Sequence, residues 1–84
     1  MILYVAPDAG ETRAAFVASR RVGGAVARNR ARRVLRAAWR TVGPSVREGM
    51  DVVFVARETI QGAKTQDVEA DMRELLRRVG ILDS

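Results

Sequence analysis

The sequence predicts a small α+β domain: a mixed or antiparallel sheet with helices packed on it, in the order β-β-α-β-α. Three observations predict it. Two short apolar, strand-like runs open the chain, an amphipathic arginine-rich helix follows, and a β-branched strand then precedes a second amphipathic helix. With 84 residues the chain forms one domain, in the size range where a hydrophobic core is marginal. Apolar side chains make up 48% of it, which favours a folded domain over a disordered tail.

Ile2 to Ala6 is the first strand-like run, ended by Pro7-Asp8-Ala9-Gly10, which is turn chemistry. Ala14 to Ser19 is the second, with Phe16 and Ala18 on one face and Val17 on the other. The short Pro7–Thr12 connection suggests that these two strands pair antiparallel. Gly23-Gly24 breaks the chain before a helix running roughly from Ala27 to Val42, and Gly43-Pro44 stops that helix. Asp51 to Ala56 (Asp-Val-Val-Phe-Val-Ala) is too apolar for a half-exposed strand and is expected at the centre of the sheet. After the Glu58–Lys64 loop the second helix opens, with Thr65 as N-cap and Asp67 and Glu69 suiting the positive end of its dipole. Val68, Met72, Leu75, Leu76 and Val79 fall on one stripe and are read as core, with Gly80 closing the helix. No repeat, linker or low-complexity segment divides the chain, so residues 1–84 are one domain.

Charge is distributed unevenly. Between Thr12 and Arg47 stand ten arginines and no acidic residue, whereas the rest of the chain carries five basic and ten acidic side chains. The net charge of +5 is thus +10 in the middle and −5 elsewhere. A like-charge block this dense repels itself unless an anion neutralises it, so a polyanionic partner is expected. The absence of cysteine removes disulfides, thiolate metal sites and a thiol nucleophile, and the absence of histidine removes the commonest general base and zinc ligand. The acids are scattered, leaving no constellation for acid/base or metal chemistry, so no catalytic or metal-binding residue is assigned. Neither a spanning helix nor a signal peptide is evident; the expectation is a cytoplasmic protein with no membrane or small-molecule partner.

Helical phasing orders the arginines. Arg28, Arg32, Arg36 and Arg40 recur every four residues, flanked by Asn29 and Arg33, while Ala31, Val34, Leu35, Ala38 and Val42 share the opposite face. Like charges at i, i+4 oppose helix formation by roughly 0.2–0.5 kcal/mol per pair, and no glutamate relieves them here. Guanidinium forks bind phosphate oxygens in pairs, and a helix spaces successive forks by about 6 Å, close to the phosphate spacing of a strand. The stretch Arg28-Asn29-Arg30 is placed at the helix start, where free N–H groups also favour anions. Asn29 has a second reading there, as the helix cap. Gly23-Gly24 reads as a plain turn or as a site of close phosphate approach. Trp39, at the border of the ridge, reads as core packing or as a stacking platform.

The segment Phe16-Val17-Ala18-Ser19-Arg20-Arg21-Val22-Gly23-Gly24-Ala25-Val26-Ala27-Arg28-Asn29-Arg30-Ala31-Arg32-Arg33-Val34-Leu35-Arg36 resembles the signature of the bacterial ribonuclease P protein component, centred on its Arg-Asn-Arg box. Gly49 to Arg57 is similar to the family's strand that begins at an Asp and ends in Ala-Arg. The resemblance implies the small subunit of a ribonucleoprotein that removes the 5′ leader of precursor tRNA, with the RNA subunit as the catalyst. Its implied partners are that RNA and precursor tRNA. No cofactor would be bound by the protein alone, and Mg2+ would be needed by the holoenzyme. Arg28, Asn29, Arg30, Arg32, Arg33 and Arg36, extended by Arg40, Arg20 and Arg21, would contact the RNA subunit. Tyr4, Phe16 and Ser19 would line a cleft for the leader. The resemblance also implies a left-handed β-α-β crossover, against the general rule. One departure is that the sequence opens directly at the first strand, where family members usually begin with a further helix, so that either the start lies further upstream or the form is a shortened one. Others are Ala15 where the family favours Gly and Ala37 where an acidic residue is common. A general RNA-binding or ribosome-associated protein is the alternative reading.

Overall fold

A computed structural model describes residues 1–7 and 10–82. Its elements are β1 (Ile2–Pro7), β2 (Arg13–Ala18), α1 (Ala25–Val42), β3 (Met50–Ala56) and α2 (Thr65–Arg78). Single 3-10 turns lie at Arg20–Val22, Gly43–Ser45 and Glu58–Ile60. The β-β-α-β-α order is as the hydrophobic pattern predicts.

The sheet order is β1-β3-β2, so the first two strands are not neighbours. β3 lies between them, antiparallel to β1 (Leu3 opposite Phe54) and parallel to β2 (Phe16 opposite Phe54). The expected β1–β2 hairpin is therefore wrong. The most apolar strand takes the only position with hydrogen-bonded neighbours on both edges, and it separates the two it joins. Part of the Pro7–Thr12 connection, Asp8 and Ala9, lies outside the described residues.

Alternation along β3 sets the faces. Val52, Phe54 and Ala56 are buried beneath the helices, while Asp51, Val53 and Val55 face the other way and are half-buried. That other face carries no helix, and Ile2, Tyr4 and Val17 are exposed on it. The core between sheet and helices holds Phe54, Leu35, Met72, Leu76, Val22, Val42 and Val52, all fully buried. Burying each such side chain contributes about 1.5–3 kcal/mol. The rings meet at Phe54, whose centroid is 6.2 Å from that of Phe16 in a near-parallel stack and 5.6 Å from that of Trp39 in a tilted one. Trp39 is thus a packing residue.

Two residues at the ends of α2 differ from expectation. Lys64, not Thr65, is the N-cap of α2, and its N–H donates to the Asp67 carboxylate at 3.2 Å. Acceptor chemistry for the cap comes from the third helical position, so Thr65 need not supply it. Val79 is exposed rather than part of the apolar stripe. Gly80 closes the helix as expected: its N–H donates to Arg77 O and Ile81 N–H to Leu76 O, with Gly80 at φ +80°. This Schellman closure turns Ile81 into the core in place of Val79. The turned chain also pairs with the segment after α1, through Arg47 N–H donating to Ile81 O at 2.8 Å.

Phe54→Ala is expected to destabilise the domain by about 3–5 kcal/mol, because three elements lose a shared contact around one cavity. Urea unfolding followed by circular dichroism measures it.

Candidate nucleic-acid interface

α1 is anchored on its small and branched residues. Ala31, Leu35, Ala38 and Val42 are buried against sheet and α2, which turns Asn29, Arg33, Arg36 and Arg40 fully outward. Arg28 and Arg32 lie half-buried along the same ridge. Among the described residues none of the arginines of α1 forms an ion pair; the pairs present are Arg13–Asp51 at 2.9 Å and Arg77 and Arg78 with Glu74. The ridge is therefore uncompensated positive charge on a rigid support, able to attract and hold a polyanion.

Two of its side chains are held in place. Arg32 donates to the Asn29 side-chain oxygen, and the Arg36 guanidinium lies over the Phe16 ring, 5.8 Å from its centroid. A guanidinium already restrained loses less rotamer freedom when it binds. Val26, 83% exposed in the first turn, borders a shallow concavity lined by Asn29, Arg32, Arg33 and Arg36. Sequence reasoning passed over Val26; its signal was an apolar side chain off the buried stripe. An apolar patch among guanidiniums suits a sugar or base edge beside phosphates.

The helix begins earlier than expected. Gly24 is the N-cap, and Arg28 N–H already donates to Gly24 O at 3.0 Å. The free N–H groups of the first turn thus belong to the turn before Arg28-Asn29-Arg30, and Asn29 is an orienting partner of Arg32 rather than a cap. Arg30 points elsewhere: its guanidinium donates to Ala63 O at 3.0 Å. Ser19 accepts from Arg21 N–H at 3.3 Å and so caps the Arg20–Val22 turn, on which Arg20 and Arg21 are exposed. The fully buried Val22 pins that turn beside the start of α1. Gly23, at φ +141°, has no room for a side chain, since a Cβ would sit 2.9 Å from that of Ala27.

Tyr4 and Phe16 do not come together. Strand alternation puts Tyr4, 60% exposed, on the helix-free face with Val17, Val53 and Val55, whereas Phe16 lies on the helix side under Arg36. Ser19 lies beyond the end of β2, occupied in its cap. Of the three residues expected to line one cleft, only Tyr4 stands on the open face.

The sequence model of the family described as Ribonuclease P matches residues 1–80. The chain belongs to the ribonuclease P protein family. It is 39% identical over 82 residues to the ribonuclease P protein component of Dehalococcoides mccartyi, covering 96% of this chain and 67% of that one. To the ribonuclease P protein component of Chloroflexus aurantiacus it is 48% identical over 85 residues, covering 98% of this chain and 62% of that one. The chain thus spans roughly two thirds of the length of these relatives. The fold is that of the ribonuclease P protein of Thermotoga maritima, with a TM-score of 0.79 at 22% identity over 90% of this chain and 74% of that one. The Staphylococcus aureus protein gives the same TM-score at 18% identity, over 96% of this chain and 75% of that one. The Arg-Asn-Arg box of this family member is thus divided by the fold: Arg28 and Asn29 lie on the ridge, and Arg30 lies against the loop before α2.

Arg33→Glu is expected to raise the stability of the free protein by roughly 0.8–2 kcal/mol, because repulsions with Arg30 and Arg36 three residues away become attractions. The same change is expected to weaken RNA binding. Opposite movement of the urea midpoint and the RNA affinity checks both.

Proposed function

We propose that this chain is the protein subunit of ribonuclease P, which binds the catalytic RNA through α1 and holds the 5′ leader of precursor tRNA at the sheet. The observation that carries this reading is the unpaired arginine ridge on the helix that bears the family's Arg-Asn-Arg box. Arg28, Arg32, Arg33, Arg36 and Arg40 present guanidinium forks to phosphates, Asn29 and Phe16 orient two of them, and Arg20 and Arg21 extend the basic surface toward β2. Tyr4 on the helix-free face is the side chain assigned to the single-stranded leader, where stacking tolerates any base.

Endonucleolytic hydrolysis is assigned to the RNA. The chain offers no histidine or cysteine, and among the described residues no three potential metal ligands gather. Magnesium, which would supply charge stabilisation for phosphodiester hydrolysis, is assigned with the catalysis to the RNA. The role of the protein is to position and to neutralise charge. A cytoplasmic location accords with such a task; no helix among the described residues is long and apolar enough to cross a membrane.

Binding to a ribonuclease P RNA transcript tests the reading. With five phosphates neutralised, log affinity is expected to fall against log salt with a slope of roughly −3.5 to −4.5; a slope near −1 would refute the ridge as the interface. Arg28→Ala and Arg32→Ala are each expected to cost about 1.5–3 kcal/mol of that binding, read by filter binding or fluorescence titration. Equal affinity for all structured RNAs would favour a general RNA-binding protein instead. Cleavage of precursor tRNA is expected from the reconstituted complex and not from the chain alone.

A further inference from the structure

The loop between β3 and α2 makes two contacts near the start of the basic helix, one with the turn that precedes it and one a turn inside. The Gln61 side-chain amide donates to Val22 O, the last residue of the turn that carries Arg20 and Arg21. The Arg30 guanidinium donates to Ala63 O, from the half-buried side of α1. The loop is itself fixed: Ile60 is buried in the core, Ala63 N–H donates to Ile60 O at 3.1 Å, and Lys64 N–H is held by the Asp67 carboxylate. Gly23 admits this approach, because a Cβ there would lie 3.1 Å from the Gln61 amide nitrogen as well as against Ala27. Neither contact faces the ridge.

We infer that Gln61 and Arg30 are positioning residues for RNA binding: they clamp the 61–63 loop to both sides of the start of α1 and so fix Arg20 and Arg21 relative to Arg28 and Arg32. The inference rests on the RNA-binding reading above and divides the Arg-Asn-Arg box into two outward residues and one inward brace. A guanidinium committed to a backbone carbonyl on the loop side releases no counterions from a phosphate. Its loss loosens the geometry of the others instead. Gln61, uncharged and outside the arginine cluster, acts on binding only through Val22.

Two measurements on the whole chain separate clamp from contact. In the free protein, hydrogen exchange at the Arg28 amide, which is bonded to Gly24 O, reports opening of the first turn. Gln61→Ala and Arg30→Ala are expected to speed that exchange about 10-fold while the Leu35 amide is little changed, the mark of local rather than global opening. Binding to a ribonuclease P RNA transcript is expected to weaken about 5- to 20-fold in each variant. The salt slope is expected to stay at the parental value, whereas Arg33→Ala flattens it by roughly 0.7–0.9. Unchanged Arg28 exchange in both variants overturns the clamp, and so does a slope flattened by Arg30→Ala as much as by Arg33→Ala. If the parent shows no preference for this RNA, the functional reading fails, and exchange alone decides whether the clamp exists.

Discussion

The contact on which the rest of the structure depends is the burial of Phe54 in the middle of the central strand. It stacks on Phe16 from one edge strand, lies opposite Leu3 on the other and meets Trp39 from α1. That meeting fixes the roll of α1, since Leu35, Ala38 and Val42 must face inward alongside it. The outward direction of the arginines follows from what the helix buries. Phe16 connects the two layers directly, since its ring stacks on Phe54 and lies under the guanidinium of Arg36.

Magnitudes explain how so repulsive a helix persists. The three i, i+4 arginine pairs along Arg28, Arg32, Arg36 and Arg40 together oppose it by roughly 0.6–1.5 kcal/mol. Burial of Leu35 or Val42 alone contributes about 1.5–3 kcal/mol each. Tertiary packing therefore holds the helix, and local propensity does not have to. The alanines at 31 and 38 add little hydrophobic area, but they let the helix lie close to its neighbours, which keeps the ridge on a stiff support.

Local patterns in the sequence disclosed the elements and non-local pairings did not. The α1 face, the central character of β3 and the stop at Gly43 could all be read from periodicity and breakers. The strand order could not, because a short connection suggests a hairpin and only competition for the most apolar strand decides otherwise. Tyr4 and Phe16 were grouped as aromatics on adjacent strands; the face each occupies depends on register with β3, which no local signal reports. Arg30 is similar. Its position in the Arg-Asn-Arg box suggests a ligand contact, and its actual partner is a backbone carbonyl 33 residues later. Val79 and Ile81 exchanged places because one glycine ended the helix by turning the chain inward.

The strand order has a consequence for the order in which the molecule is made. Both ladders of the sheet use β3, and the β2–β3 partners are 38 residues apart, as Arg13 and Asp51 are. No pair of strands can form early as a hairpin, so contacts distant along the chain must close before any sheet exists, which slows folding for a domain of this size. On the ribosome the arginine segment emerges ahead of the strand that supports it. Until β3 arrives, the segment is a flexible cation in a compartment crowded with nucleic acid. The finished surface is thus the product of the later half of the chain, and the arginine ridge gains its support only when synthesis has passed β3.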